Sequence, residues 1–134
     1  MTGTAAHDGV LRSERGQAMT EFALVLPLLM TVLLAIVQFG VVFNRYLALT
    51  DAVRTGARKA AVLAQASDPV GATKAAVIAA GGDITINPND ITVTSTWQPG
   101  DTVTVEATYP SSIDLGFVEI HLPPLDSKTT ERVE

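Results

Sequence analysis

An uncharged apolar segment at residues 22–43 constrains this chain more than any other feature. Fifteen of its 22 residues are Phe, Leu, Val or Ile. As an α-helix rising about 1.5 Å per residue, the segment would reach roughly 33 Å, slightly more than the roughly 30 Å hydrocarbon thickness of a bilayer. The sequence therefore predicts one membrane-spanning helix.

A buried core helix and a secretory signal peptide are the alternatives to a retained span. A core helix ordinarily keeps a polar face, which this segment lacks. A signal peptide has an apolar region of about 7 to 15 residues that ends in small residues at a cleavage site. Here the segment is longer and ends in Val-Val-Phe, followed by Asn-Arg. We therefore expect the helix to remain in the mature protein.

Charge is distributed unevenly along the 134 residues. Residues 22–43 are neutral, residues 44–66 carry a net charge of +3 and residues 67–134 carry −7. The overall charge of −5 argues against nucleic acid as a partner, because phosphates demand a basic face. The absence of cysteine excludes disulfides and thiolate metal sites. The pattern is that of a polar leader, a span, a basic helical extension and an acidic head.

The span is expected to continue as a helix over residues 44–66, which are rich in Ala, Leu, Val and Arg and hold no proline. Apolar or small residues recur there at alternating spacings of three and four, which places them in one stripe along a helix. The stripe comprises Tyr46, Leu49, Val53, Gly56, Ala60 and Leu63. We predict that it packs on the chain's own sheet or on adjoining helices.

Two residues within the span belong to the same set of predicted helix-packing positions. These are Pro27 and Gly40. Pro27 removes one helical hydrogen bond and is expected to kink the helix locally, which membrane helices tolerate.

The head, residues 67–134, begins with signals for a short helix. Asp68 can cap it and Pro69 can occupy its first position, while Gly81 and Gly82 end it after about Ala80. Alternating apolar and polar residues at 91–97 and 103–109 then flank a Pro-Gly pair. This arrangement predicts a hairpin closed by a type II turn.

Two further strands are expected after the hairpin. The first covers residues 117–122 and is ended by two prolines, the second covers residues 128–133, and residues 111–116 form a loop before them. Trp97 alternates in phase with Ile91 and Val93, so we place it on the apolar face. The predicted fold class is α+β, with a long N-terminal membrane-spanning helix that continues into a small head containing a short helix and an antiparallel sheet.

Patterns for catalysis or metal binding are scarce. The sequence contains no phosphate-binding glycine loop, GxSxG or HExxH motif. His7 and His121 have no partners at the spacing of a metal site, so both are interpreted as ordinary surface histidines. We therefore expect a protein that is not an enzyme, with no cofactor, no metal and no small-molecule substrate.

Glu21 directly precedes the apolar segment. Acidic residues in the first turn of a helix are favoured by a few tenths to about 1 kcal/mol, so an interfacial carboxylate is one interpretation. The other interpretation uses Gly16, because a cut after this residue would make Gln17 the first residue of the mature chain. Glu21 would then be the fifth residue, one helical turn from a new α-amine.

The chain resembles the TadE-like pseudopilins of the Tad (tight adherence) type IV pilus system. The resemblance covers about residues 14–66, and the head is not diagnostic. It rests on Glu-Arg-Gly-Gln-Ala-Met-Thr-Glu-Phe-Ala-Leu-Val-Leu-Pro at residues 14–27, Gln-Phe-Gly at residues 38–40 and Ala-Val-Arg-Thr-Gly-Ala-Arg at residues 52–58, with a weaker similarity at residues 130–134.

The resemblance implies a precursor with a cytoplasmic N-terminus and a leader at residues 1–16. A membrane-embedded prepilin peptidase would remove the leader between Gly16 and Gln17. Residues 17–43 would then form the transmembrane helix, residues 44–66 its extension and residues 67–134 an extracytoplasmic head. Glu21 and Phe22 are the implied processing and assembly residues, with the Glu21 carboxylate paired to an α-amine of its own or a neighbouring subunit.

The implied function is that of a non-enzymatic minor pilin or pseudopilin which supports assembly of an adhesive Tad-type pilus from the cytoplasmic membrane. Its implied partners are the prepilin peptidase, other pilins and pseudopilins, the Tad assembly platform proteins and the lipid bilayer. The alternative is an uncleaved single-pass membrane-anchored binding or scaffold protein of a secretion or pilus assembly machine. Intact mass distinguishes the two, because only the pilin precursor loses residues 1–16.

Overall fold

The computed structural model describes the backbone of residues 5–114, 116 and 118–134, and the side chains of these residues from residue 16 onward. Within this part of the chain, two helices precede a three-stranded antiparallel sheet of order β1-β2-β3, which confirms the α+β class. The chain divides after Gln38 into two compact units. The elements are α1 (Ala5–Val62), α2 (Pro69–Ala80), a 3₁₀ turn (Pro88–Asp90), β1 (Ile91–Ser95), β2 (Thr102–Asp114) and β3 (Glu119–Arg132).

In the first unit, α1 carries the apolar segment on an exposed helix. Every residue from 16 to 37 is exposed. The part of α1 from Gly16 to Val62 is long and apolar enough to cross a membrane, and its most apolar stretch buries nothing against the protein. A helix that is apolar all round and exposed fits lipid surroundings and contradicts the alternative of a buried core helix.

The end of α1 lies at Val62, before the predicted limit of the extension at residue 66. The backbone N–H of Glu134 donates to the carbonyl oxygen of Ala61 at 3.1 Å. In a continuing helix that carbonyl would accept from residue 65 instead. The N–H of Leu63 reaches back only three residues, to Ala60 at 3.1 Å. A long-range backbone contact therefore accompanies the early end of the helix.

The beginning and end of α2 follow the predicted signals. Asp68 caps it, because Oδ1 of its carboxylate accepts from the backbone N–H of Gly71 at 2.9 Å. Pro69 is its first residue and Ala80 its last. Gly82 then adopts a φ of +60°, which glycine tolerates without strain.

The turn between β1 and β2 has the predicted geometry. The N–H of Asp101 donates to the carbonyl oxygen of Gln98 at 3.1 Å. Gly100 has a φ of +91°. A positive φ at the third of four turn residues, after Pro99 at the second, is characteristic of a type II turn.

The two faces of β1 differ in burial as the alternation predicts. Ile91 is buried and Val93 half-buried, whereas Thr92 and Thr94 are exposed. Trp97 is half-buried and packs against the core, as expected, but it lies beyond the end of β1 and has a φ of +58°. The strand alternation therefore ends before Trp97.

β3 is one continuous strand, so the prediction of two strands separated by prolines is wrong. Pro123 and Pro124 lie inside it, opposite the single Pro110 of β2. The register shifts there, because two residues of β3 face one residue of β2, which is a β-bulge. Since β3 is an edge strand and a bulge leaves residues unpaired, the missing N–H groups of proline are tolerated.

The predicted loop at residues 111–116 is also wrong over its first four residues, which belong to β2. The buried Ser111 follows the bulge, and its hydroxyl donates to the carbonyl oxygen of Pro123 at 2.8 Å. This bond ties the two strands together where the ladder is interrupted.

The hydrophobic core lies between one face of the sheet and the helices of the second unit, Phe39–Glu134. The opposite face of the sheet is polar, with a bond between the Thr104 and Thr130 hydroxyls at 3.0 Å and an ion pair between Lys128 and Glu106 at 3.7 Å. The buried core residues are Leu49, Ala52, Val53, Ala57, Ala60 and Ala61 of α1, Val77 of α2, Ile84, Ile86, Ile91, Val103, Val105, Ala107 and Val133.

Candidate functional site

The peptide bond between Gly16 and Gln17 lies inside α1, and both residues are exposed. The Thr20 hydroxyl donates to the carbonyl oxygen of Gly16 at 2.9 Å. A peptidase that cuts this bond must reach a backbone whose polar groups are engaged in the helix, so α1 has to unwind locally. Glycine eases this step, because it is about 0.8 to 1.0 kcal/mol less favourable than alanine in a helix interior.

Glu21 is exposed and lies four residues after Gln17, one helical turn away. Within the part of the chain that the structure describes, its carboxylate has no hydrogen bond or ion pair. The neighbouring Phe22 is also exposed. The carboxylate is therefore available to a partner outside the described contacts of this chain.

Pro27 lies inside α1 and leaves the carbonyl of Ala23 without its helical donor. The carbonyl oxygen of Pro27 itself accepts a second bond, from the Thr31 hydroxyl at 2.9 Å. The kink expected at this proline stays a prediction.

Gly40 leaves an open position on the surface of α1. A Cβ atom placed there would meet no atom within 4 Å. On the same helix the rings of Phe39 and Phe43 stack with centroids 6.4 Å apart. If Gly40 packs against another helix, as predicted, that helix would belong to a neighbouring molecule. The packing role of Gly40 stays a prediction.

The stripe predicted on the extension lies partly in the core. Leu49, Val53, Gly56 and Ala60 are buried. Tyr46, at the start of the stripe, is 40% exposed. Leu63 is half-buried and lies after the end of α1.

Sequence reasoning missed a second row of buried residues on the same helix. Ala52, Ala57 and Ala61 are buried, and each adjoins a residue of the predicted stripe. The helix therefore presents a face about two residues wide in each turn, as is common where a helix covers a sheet. The four-residue spacing of Val53, Ala57 and Ala61 was the signal that could have revealed it.

Gly56 lets α1 and α2 approach closely. A Cβ atom at position 56 would overlap Cγ2 of Val77, whose side chain is fully buried on α2. Valine is stiff about its first side-chain torsion, so Cγ2 has little room to turn away. Glycine is therefore required by packing, although it weakens the helix itself.

We predict that the effect of Gly56→Ala on stability depends on residue 77. In the wild-type background the overlap costs about 1 to 3 kcal/mol, which cancels or exceeds the roughly 1 kcal/mol gained in helix propensity. In a Val77→Ala background the overlap is gone, and only the gain remains. Urea unfolding of the full chain in detergent, followed by circular dichroism, measures this double-mutant cycle.

The expected coupling between residues 56 and 77 is at least about 1 kcal/mol. Gly40→Ala serves as the control, because it adds a methyl group in open space and should not destabilise the head. Equal effects of Gly56→Ala in both backgrounds would contradict the close approach of the two helices.

His121 lies on β3, with Nε2 at 3.8 Å from a carboxylate oxygen of Glu119, and both side chains are well exposed. Among the described residues, no three His, Asp or Glu side chains are grouped so as to hold a metal ion. The structure therefore places His121 on a solvent-exposed strand edge.

Comparison with known proteins identifies one family. The family model described as TadE-like protein matches residues 16–58, about a third of the chain. No curated protein and no solved structure gives a significant match. The match begins at Gly16, includes Glu21 and the span, and ends within the buried part of α1. The resemblance inferred from the residues is thus confirmed over residues 16–58, which are similar to TadE-like proteins.

Proposed function

We propose that this protein is a TadE-like minor pilin or pseudopilin, anchored by α1 in the cytoplasmic membrane and acting without catalysis in assembly of an adhesive Tad-type pilus. The strongest support is the range of residues that the family model matches, 16–58. This range contains the Gly16 junction, the exposed apolar part of α1 and the part of α1 that packs under the sheet. A filament subunit needs a processing site, an anchor and a folded head.

We further propose that a prepilin peptidase removes residues 1–16 between Gly16 and Gln17. The mature chain would consist of a transmembrane helix at residues 17–43, its extension at residues 44–66 and the head at residues 67–134. The cut removes the carbonyl that accepts from Thr20 and creates an α-amine at Gln17. That amine and the positive end of the shortened helix both lie within one turn of Glu21.

Glu21 is proposed to direct assembly through this pairing. A carboxylate costs about 2.5 to 3.5 kcal/mol at the centre of a bilayer and less at its surface. Pairing with the α-amine of a neighbouring subunit would relieve that cost. The exposed carboxylate without a partner in the described structure is the state expected of a subunit before assembly.

The proposed topology places the N-terminus in the cytoplasm and the head outside it. Charge alone does not decide this, because Arg12 and Arg15 precede the span while four basic residues follow it within residues 44–66. The proposed orientation rests on the family resemblance. Proposed partners are the peptidase, other pilins and pseudopilins, and the assembly platform proteins of the Tad system.

This orientation predicts that protease added to spheroplasts digests the head. With an epitope tag after Glu134, the tag signal should fall more than tenfold, while a cytoplasmic marker protein stays intact. Opening the cells with detergent supplies the positive control. A tag that is digested only after detergent treatment would contradict the topology.

The alternative function is that of an uncleaved membrane-anchored scaffold. One observation favours it, namely that α1 runs without a break through the bond between Gly16 and Gln17. An intact helix protects that bond as long as nothing unwinds it.

A further inference from the structure

An open apolar groove lies where the end of α1 passes α2. It is lined by Val62 and Leu63 and by alanines of α2, which include the exposed Ala75 and Ala79. Its volume is about 570 Å³. Pockets of about 300 to 1,000 Å³ accommodate drug-sized ligands, so this groove has room for two branched side chains. Val62 remains 64% exposed, so the described part of the chain leaves the groove uncovered.

Lys59 is the charged residue at the rim of this groove. Its side chain is exposed, and among the described residues it forms no ion pair. The ammonium group of lysine sits on a flexible four-carbon stem, so it can turn toward a charge on either side of the rim. An apolar groove with one mobile cation at its rim fits a partner segment that carries an acidic side chain beside apolar ones.

Residues 118–120, at the start of β3, have that composition. Val118 is 48% exposed and Ile120 is 45% exposed. Glu119 lies between them, with its carboxylate 3.8 Å from Nε2 of the exposed His121 and its own side chain well exposed. Exposed apolar side chains rimmed by polar groups mark interaction sites. Segment 118–120 therefore matches the groove in apolar character and opposes Lys59 in charge.

The groove and segment 118–120 lie at opposite ends of the sheet, within the unit Phe39–Glu134. The N–H of Glu134, just after β3, donates to the carbonyl oxygen of Ala61, two residues from Lys59. From Glu119 to Arg132, β3 has 14 residues and spans roughly 43 Å at about 3.3 Å per residue. Segment 118–120 therefore does not reach the groove of its own chain.

We propose that segment 118–120 of one copy docks in the groove of a second copy, with Val118 and Ile120 against the apolar floor and the Glu119 carboxylate paired with Lys59. A second copy is the partner because one chain carries both halves of the contact, at places that only another chain can join. Such a contact between opposite ends is heterologous, so it repeats from copy to copy and builds an open filament unless its rotation closes a ring.

This inference deepens the proposed function, because it names the head contact through which subunits of a pilus would meet. Both halves of the contact lie after residue 58, beyond the range that the family model matches. The contact also lies far along the chain from Gly16, so it can be measured on the chain with or without residues 1–16.

Energy transfer between labelled full chains in detergent tests the contact. The natural sequence has no cysteine, so Thr94→Cys, on the exposed face of β1, carries the donor or the acceptor dye. Lys59→Glu and Glu119→Lys each bring like charges together, and each should lower energy transfer among identical chains at least threefold. A mixture of donor-labelled Lys59→Glu chains and acceptor-labelled Glu119→Lys chains joins opposite charges again and should restore at least half of the wild-type signal.

Arg54→Glu is the matched control, because it reverses an exposed positive charge of α1 that does not line the groove. It should leave energy transfer unchanged, and circular dichroism checks that every variant is folded. Unchanged energy transfer in both single variants, no restoration in the mixture, or an equal loss in Arg54→Glu would each overturn the inference.

Cleavage of residues 1–16 tests the proposed function separately. A chain that is cut after Gly16 but shows no charge-dependent energy transfer keeps the proposed function and overturns the inference. A chain that shows the energy transfer but is never cut supports the inference and contradicts the proposed function.

Discussion

Gly16→Leu is expected to leave the chain at its full length in cells that contain active prepilin peptidase. The leucine side chain obstructs access to the backbone at the bond to be cut. It also strengthens the helix by about 0.8 kcal/mol, so local unwinding of α1 becomes harder. Intact-mass measurement of the membrane-extracted protein should show less than a tenth of the variant processed.

Gly9→Leu is the matched control for this variant. Gly9 also precedes an acidic residue, Glu14, by five positions, but no apolar segment follows that acid. If Gly9→Leu is processed normally and Gly16→Leu is not processed, the glycine that the peptidase recognises is the one at the membrane edge. A normally shortened Gly16→Leu protein would contradict the proposed cleavage site.

Glu21→Ala is expected to abolish pilus assembly without reducing membrane insertion. The substitution removes the only charge between Gln17 and Asn44, so the helix should insert at least as well. It also removes the carboxylate proposed to pair with a terminal α-amine. We expect at least a tenfold loss of pili in sheared surface fractions, with unchanged amounts of the protein in membranes.

A second variant makes this prediction specific. Glu21→Asp keeps the charge and should retain more pili than Glu21→Ala. Normal pilus levels in Glu21→Ala would favour the simpler interpretation, in which Glu21 is an interfacial residue favoured by the helix dipole.

Local sequence signals predicted the elements whose geometry is decided within a few residues. The cap at Asp68, the start of α2 at Pro69 and the type II turn at Gly100 all depend on neighbours along the chain. These were confirmed because the capping carboxylate and the turn glycine need no distant partner.

Long-range contacts explain why the predicted break in β3 and the predicted end of α1 differ from the structure. Pro123 and Pro124 are strand breakers in isolation, but a bulge opposite Pro110 accommodates them in an edge strand. The early end of α1 involves a bond to Glu134 from the far end of the sheet. Neither contact can be deduced from residues adjacent in sequence.

In the candidate site, too, local features could be predicted from the sequence and features that depend on long-range contacts could not. Gly16 and Glu21 could be proposed from their spacing relative to the apolar segment, since that relation is local, and their roles stay predictions; the family match includes both residues. The width of the buried face on α1 could not, because alanine is compatible with either exposure or burial. Only the sheet and α2 decide that Ala52, Ala57 and Ala61 are covered.

The intact mass and N-terminal sequence of the wild-type protein test the central claim most directly. The protein would be extracted from membranes of cells with an active prepilin peptidase and of otherwise identical cells in which the peptidase is inactivated. The account predicts a chain that begins at Gln17 in the first case and retains residues 1–16 in the second. A chain that keeps its leader in both, or that begins at another residue, would contradict it.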